Sequence, residues 1–302
     1  MRDFAFLHTP ADAVSPAVLG DLWRHATLTV ETARPDALET GPWLPGAFRG
    51  ALGRQVHAAA DGGAPGAALL RAALFDTLGQ YHGNQPIPKP ALVQVDDDGT
   101  RVRFRLRLFG EAMVFTDFLA DLAMRALAGG LPLRENGRQR VAYEVLDAYS
   151  DPITHVRPVS APLSSAVLVF RTPLCVTRTG AMAGSLDRLL LNMLNRLAGL
   201  ARWQDMALDT AAAVAALKAA PPIVRAERMT PISWTRYSLR QGDQPIVQKG
   251  MIGTLALEGL PDVARIILPL AETCHVGGQT VFGFGRFELG GFIGRERAPG
   301  GA

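Results

Sequence analysis

Several features are scarce in this chain of 302 residues, and each absence excludes a class of protein. Its two cysteines, Cys175 and Cys274, are too few for a disulfide framework and are not spaced as zinc ligands. No apolar run is long enough to span a membrane. Residues 1–4 lack the basic-then-apolar order that begins a signal peptide. We therefore expect a cytoplasmic protein with no membrane contact, no metal site and no cofactor.

The common nucleotide-binding loops are also missing. A glycine-rich stretch at 277–285 follows no strand of the required kind, lacks the GxGxxG spacing and is not followed by Gly-Lys-Ser/Thr. This excludes a dinucleotide fingerprint and a Walker loop. The formal net charge of +3 permits nucleic-acid binding without requiring it. With 48% hydrophobic and 20% charged residues, the chain is globular rather than disordered.

Hydrophobic periodicity predicts two successive modules. After an N-terminal extension, the first half has the order β, α, insert, β, β, α, β, which is close to a ferredoxin-like module. The second half repeats this order, with separate strands at 223–228 and 233–239, and ends in the glycine-rich stretch. We predict an α+β fold of tandem ferredoxin-like (RRM-like) modules with antiparallel sheets, divided into 1–150 and 151–302.

One predicted strand, at 101–108, carries an unusual charge pattern. Period-two alternation places four arginines on one face and four apolar residues on the other. Four like charges in a row repel each other, so either an anionic partner or acidic residues on the adjacent strand must relieve them. The sequence leaves both possibilities open for Arg101, Arg103, Arg105 and Arg107.

The stretch from Gly277 to Leu289 resembles the C-terminal signature of the RAMP superfamily. More narrowly, it is similar to the CRISPR repeat-processing endoribonucleases, whose chains tend to end in His-Val-Gly-Lys-x-Thr-x-Phe-Gly-x-Gly-Arg-Tyr. Gly278 stands in place of the usual Lys, and Phe287 in place of the usual Tyr. The segment 44–53 and the Trp-x-Arg-Tyr-Ser-x-Arg-Gln run at 234–241 are also typical of this family, so the resemblance covers nearly all of the chain past residue 26.

The resemblance implies a set of RNA-binding residues. In this superfamily the cleft between the modules, or the basic face near the glycine-rich loop, holds a repeat stem or an unpaired repeat. The basic and aromatic residues of the predicted hairpin suit stacking and phosphate contact. The implied loop glycines are Gly277, Gly278, Gly283 and Gly285. The candidate RNA-binding side chains are Arg49, Arg54, Arg236, Tyr237, Arg240, Gln279, Thr280 and Arg286.

The family also implies a cleavage chemistry that needs no metal. The RNA 2′-OH attacks the phosphate, a general base and a general acid transfer protons, and a 2′,3′-cyclic phosphate results. Histidine suits either proton transfer because its ordinary pKa is near 6.5. His57 is the first candidate, on the polar face of the predicted helix 46–60; His82 is the second and His25 the third. His275 is expected to brace the glycine-rich stretch instead.

Two functional hypotheses follow from the resemblance, and a third stands without it. The first is an endoribonuclease that cuts CRISPR precursor RNA in the repeat and then stays on its product as an effector-complex subunit. The second is a non-catalytic subunit of the same fold that holds crRNA beside other effector subunits. The third is an unrelated α+β protein whose glycine-rich hairpin is only structural.

Overall fold

A computed structural model describes residues 4–10, 12–82, 85–134, 139–156, 165–175, 186–237 and 245–290 of the chain. The first half contains nine strands and four helices within those ranges. They are β1 (Asp12–Val14), α1 (Pro16–Leu22), β2 (Arg24–Ala33), α2 (Leu44–Asp61), α3 (Ala67–Leu74), β3 (Gln80–His82), β4 (Gln85–Pro86), β5 (Ala91–Asp97), β6 (Arg101–Phe109), α4 (Thr116–Ala128), β7 (Leu131–Pro132), β8 (Arg140–Val141) and β9 (Val145–His155).

The second half has fewer and longer elements. They are β10 (Ser165–Leu174), α5 (Leu186–Ala201), β11 (Met206–Leu208), α6 (Ala211–Ala219), β12 (Ile223–Tyr237), β13 (Pro245–Glu258), α7 (Ala264–Cys274) and β14 (Phe287–Gly290). Sequence analysis predicted two strands where β12 is one. Pro231, between the two predicted strands, does not interrupt β12 because this is an edge strand, where a missing N–H is tolerated.

Two four-stranded antiparallel sheets form the body of the fold. Their strand orders are β5-β6-β2-β9 and β12-β13-β10-β14. If the four strands of each sheet are counted along the chain, both orders are second, third, first, fourth, which is the ferredoxin-like arrangement. The predicted tandem α+β fold is therefore confirmed. The division at residue 150 stays a prediction; the first sheet's last strand, β9, runs on to His155.

Helix packing covers one face of the first sheet. α2 buries Phe48, Leu52 and Val56, which are spaced four apart and therefore lie on one side of the helix. Their partners include Phe104, whose ring centroid lies 4.9 Å from that of Phe48. The apolar side chains of β6, such as Phe104, therefore point toward α2, and its arginines point to the opposite face of the sheet.

Three of the four arginines of β6, all except Arg107, are paired with acids on the neighbouring strands. Arg101 and Arg103 both bond Glu31 of β2, at 2.8 and 2.6 Å, and Arg105 pairs with Asp96 of β5. Of the two possibilities that the sequence left open, the adjacent-strand acids therefore supply the partners. In the turn that joins β5 to β6, Gly99 N–H donates to Asp97 Oδ1 at 2.9 Å.

The N-terminal extension binds the second half of the chain. β1 pairs in parallel with β11, and Asp12 lies opposite Met206. Trp23 is fully buried, and its Nε1 donates to Thr273 Oγ1 of α7 at 3.0 Å. The extension thus connects elements that lie far apart in sequence. The helices of the described residues are all too short or too polar to cross a bilayer.

Candidate functional site

The segment 275–286, which we call the glycine loop, connects α7 to β14. Gly277, Gly283 and Gly285 have φ of +87°, +83° and +71°, a region that side chains rarely adopt. A Cβ on Gly285 would lie 1.7 Å from the carbonyl oxygen of Val276. Gly278 has no such torsion, but its N–H donates to Cys175 O at 2.7 Å. Glycine is therefore required here by close backbone approach.

Thr172 of β10 fixes the far end of the glycine loop. Its hydroxyl donates to Gly283 O at 2.8 Å and accepts from Arg286 N–H at 2.9 Å. Gly285 N–H donates to Pro173 O at 2.9 Å. The loop therefore follows the bulge in β10 and reaches β14 in a fixed conformation.

The hairpin β12–β13 contacts the same loop through two side chains. The buried ring of Trp234 packs edge-on against Phe284, with centroids 4.7 Å apart. The side chain of Gln279 hydrogen-bonds that of Gln248 on β13. Thr280, at the start of a 3-10 turn, is buried. Gln279 and Thr280 thus engage the protein itself, and their proposed RNA contacts stay a prediction.

Arg49 of α2 links the glycine loop to the first half. Its guanidinium carbon lies 4.5 Å from the ring centre of Phe75 and 5.3 Å from that of Phe282. Arg49 Nη2 also donates to Leu74 O at 2.8 Å. A Cβ on Gly283 would lie 2.4 Å from Val93 O of β5. The loop is therefore held against both α2 and the first sheet.

Arg286 makes a second contact between the two halves. Its Nη1 donates to Asp96 Oδ1 of β5 at 2.6 Å, and its Nη2 lies 3.8 Å from Glu288. Only 23% of the Arg286 side chain is exposed. Asp96 also receives Arg105, so one carboxylate joins two guanidinium groups. Sequence analysis predicted Arg286 as an RNA contact. The glycine-rich signature did not indicate that Arg286 pairs with Asp96.

Two arginines meet the C-terminal carbonyls of α7, where the loop begins. Arg107 Nη1 donates to Thr273 O at 2.7 Å, and Arg196 Nε donates to Cys274 O at 2.5 Å. Cations are favoured there because the helix dipole is negative at its C-terminus. Burial, with nearby Arg286 adding to it, lowers the pKa of Arg107 to about 10.

His275 is completely buried at this junction and has φ of +60°. Its Nε2 lies 2.8 Å from Nε2 of Gln94 on β5. Burial, followed by the positive charges of Arg107 and Arg196, holds the pKa of His275 well below its ordinary value. His275 is therefore neutral at physiological pH and braces the loop against β5.

The three candidate catalytic histidines lie apart. His57 is half-buried in α2, with its ring centroid 5.7 Å from that of Phe75. Eight residues separate it from Arg49, which places it about 12 Å farther along the helix. His25 is buried in β2, with its ring against Phe109. The backbone of His82 lies in β3, and its side chain is outside the described residues.

The remaining predicted RNA contacts are on α2 and the hairpin. Arg54 is exposed on α2, one turn before His57. The backbones of Arg236 and Tyr237 end β12, and their side chains are outside the description. Arg240 lies outside the described residues altogether. The structure therefore brings Arg49, Gln279, Thr280 and Arg286 into one region and does not place the hairpin side chains.

Sequence analysis did not select Lys89 as a site residue, although it stands between two prolines, Pro88 and Pro90. It lies with Arg49, Phe75 and Val281 around a cavity of about 20 Å³, room for about one water molecule. Among the described residues its Nζ has no hydrogen-bond partner, and burial lowers the pKa of Lys89 to about 8. The described residues contain no group of three or more His, Cys, Asp or Glu placed to hold a metal ion.

Comparison with solved structures finds the same fold in other proteins. A product complex of the Cas6 protein TTHA0078 is 17% identical, with 89% of this chain and 100% of that chain covered and a TM-score of 0.54. Thermus thermophilus Cas6 (TTHB231) is 14% identical over 88% and 98% of the two chains, with a TM-score of 0.54. A partial Cas6-RT-Cas1–Cas2 complex is 11% identical over 92% and 48%, with a TM-score of 0.53.

Sequence comparison finds a family match over part of the chain. No curated protein matches the chain significantly. A family model described as CRISPR-associated endoribonuclease Cas6 matches residues 168–287, which run from β10 through the glycine loop to the start of β14. Residues 168–287 are therefore similar to the CRISPR-associated endoribonuclease Cas6 family, and the chain shares its fold with the Cas6 structures above.

Proposed function

We propose that this protein cleaves CRISPR precursor RNA within the repeat, without a metal ion, to give mature crRNA. The observation that carries the proposal is the family match across the glycine loop, whose ordered backbone is held between both sheets and α2. The Cas6 structures of the same fold include product complexes. We further propose that the two ferredoxin-like modules, 1–150 and 151–302, present one RNA-binding surface.

The reaction requires proton transfer at two oxygens of the RNA. A general base takes the proton from the 2′-OH, the 2′-oxygen attacks phosphorus, and a general acid protonates the leaving 5′-oxygen. A 2′,3′-cyclic phosphate and a free 5′-OH result, with no net change in charge on the phosphate. Positive groups stabilise the charge that builds up in the transition state.

We assign one of these proton transfers to His57. Its half-exposed ring lies one turn from exposed Arg54, so an RNA strand along α2 would meet a cation and an imidazole together. The strand would cover about 12 Å between Arg49 and His57. His82 is the second candidate because it lies in the hairpin β3–β4. His25 is the third, and its burial counts against contact with RNA.

The test is cleavage of a labelled repeat RNA from the neighbouring array, in EDTA. Wild type should cut at one site, and His57→Ala should bind but cut at least a hundredfold more slowly, the range for loss of a general acid or base. His8→Ala, an exposed histidine outside the site, is the matched control. Cutting that survives in His57→Ala and stops in His82→Ala moves the assignment to His82.

Retention on the product is a separate part of the proposal. We propose that the protein stays on its crRNA and joins other effector-complex subunits. Co-migration of the uncleaved and cleaved RNA with the protein in gel filtration tests retention. Tight binding without any cutting by wild type would contradict the enzyme and support a non-catalytic crRNA-binding subunit of the same fold.

A further inference from the structure

The face of the first sheet that is turned away from α2 and α4 carries an ordered set of polar side chains. Strand register aligns them in rungs across β5, β6, β2 and β9. The middle rung consists of Gln94, Arg105, Thr29 and Tyr149. The rungs beside it are Asp96, Arg103, Glu31 and Asp147 on one side, and Leu92, Arg107, Thr27 and Asp151 on the other.

One side of this face is covered and the other is open. Gln94 is covered by His275, and Arg107 by the end of α7. Across the sheet, on the edge strand β9, Tyr149 is 42% exposed, and Asp147 and Asp151 are also exposed. A large aromatic ring at the open side of a polar sheet face is unusual, since nothing in the apolar core holds it there.

We propose that Tyr149 is a stacking platform for one unpaired nucleobase of the RNA. RRM-type sheets use exposed aromatic rings in this way, because every base offers a π-face to stack on. The ring of Tyr149 lies on the same face as Arg103 and Arg105, two strands away, or about 10 Å. A nucleotide whose base lies on Tyr149 would direct its phosphate toward these arginines.

The charges on the face agree with a base at β9 and a phosphate at β6. Arg103 bonds Glu31 and Asp98, and Arg105 bonds Asp96. A guanidinium has five N–H donors, so each group still has donors for a phosphate. The acids Asp147 and Asp151 would repel a phosphate but accept hydrogen bonds from exocyclic amino groups of bases. We therefore expect adenine, cytosine or guanine on the platform in preference to uracil.

This inference rests on the proposed RNA function, and its test keeps the two apart. Wild type, Tyr149→Ala, Tyr149→Phe and Leu146→Ala are compared for binding to repeat RNA carrying single 2-aminopurine substitutions at its unpaired positions. Leu146 is the matched control because it is exposed on the same strand but lies at the register shift, outside the three rungs. Thermal melts check that each variant is folded.

We expect Tyr149→Ala to weaken binding about tenfold, while Tyr149→Phe and Leu146→Ala stay within about twofold. One 2-aminopurine position should be quenched by wild type and Tyr149→Phe only. Acidic and basic side chains nearly balance in number on this face. The ratio of wild-type to Tyr149→Ala affinity should therefore not change with salt, whereas the loss of a phosphate contact would make it change.

Two results would overturn the platform. Binding by Tyr149→Ala within twofold of wild type, with quenching intact, would remove it and leave the RNA function standing. An equal loss in Leu146→Ala would show a general effect of the edge strand. If wild type binds no repeat RNA, that result contradicts the proposed function and, with it, the stacking role of Tyr149.

Discussion

Gln94 and His275 lie 2.8 Å apart, Nε2 to Nε2, although 181 residues of sequence separate them. Both side chains are buried, one on the first sheet and the other at the first position after α7. The contact joins the first sheet to the start of the glycine loop. A neutral imidazole is favoured at this contact, because burial and the positive charges of Arg107, Arg196 and Arg286 all disfavour protonation of His275.

This burial makes the stability of the protein depend on pH. The unfolded chain takes up a proton on His275 below about pH 6.5, whereas the folded chain does so only at much lower pH. The free energy of unfolding should therefore fall as pH drops below about 6.5, by up to about 1.4 kcal/mol per pH unit for this group. Urea unfolding at several pH values measures the slope.

The variant His275→Gln keeps a hydrogen-bonding side chain and removes the titration. Its pH slope below about 6.5 should be smaller than that of wild type by about one proton. The variant His8→Ala, at an exposed histidine outside the glycine loop, is the matched control. An unchanged slope in His275→Gln would mean that other groups carry the pH dependence.

Alanine substitutions at Gly285 and Gly259 can distinguish the cost of backbone strain from the cost of steric overlap. Their φ values are nearly equal, at +71° and +70°, but only at Gly285 would a Cβ meet backbone, the oxygen of Val276. Gly259→Ala should cost about 1 to 2 kcal/mol of unfolding free energy, the strain alone. Gly285→Ala should cost about 3 kcal/mol or more, or prevent folding. Equal losses in chemical denaturation would contradict the close packing of the loop.

Lys89 should destabilise the protein at neutral pH. Since burial lowers its pKa to about 8 from 10.5, the folded state bears a desolvated charge below pH 8. Stability should then rise as pH increases from about 8 to 10.5. Lys89→Met should raise the unfolding free energy at pH 7 by about 1 kcal/mol, a value reduced for partial exposure, and remove the rise. A less stable Lys89→Met would indicate a structural partner for the ammonium.

The pair Arg286 and Asp96 tests whether the family's loop arginine serves the fold or the RNA. A double-mutant cycle with Arg286→Ala and Asp96→Ala should give a coupling energy of about 1 kcal/mol in urea unfolding. If Arg286 also contacts RNA, Arg286→Ala should weaken repeat binding and lower its salt dependence, while Asp96→Ala should not. No coupling in the cycle would mean that the ion pair adds nothing to stability.

The sequence predicted the elements and their order because periodicity is local. The alternation of Arg101 to Arg107 defines a strand by itself, and the two βαββαβ orders lead to two antiparallel sheets. The partners of those arginines could not be predicted in the same way. Glu31 and Asp96 face them only once strand register is known, and register depends on the whole sheet.

The candidate site was predicted in outline and not in detail. The glycine pattern located the loop, and φ values at Gly277, Gly283 and Gly285 explain why glycine is needed there. Thr280 and His275 are buried because they pack against elements from both halves of the chain. The local amino-acid sequence does not predict such contacts. The choice among the histidines remains a prediction for the same reason.

The pairing of β1 with β11 has a consequence for synthesis of the chain. Asp12–Val14 leave the ribosome roughly 10 to 40 s before Met206–Leu208, at the usual 5 to 20 residues per second. Phe109 of β6 can already contact Trp23, but α7, on which α1 packs in the finished protein, is synthesised later still. The first module therefore forms while part of this apolar arm is uncovered, and we expect that exposed surface to favour chaperone binding to the nascent chain until α7 is complete.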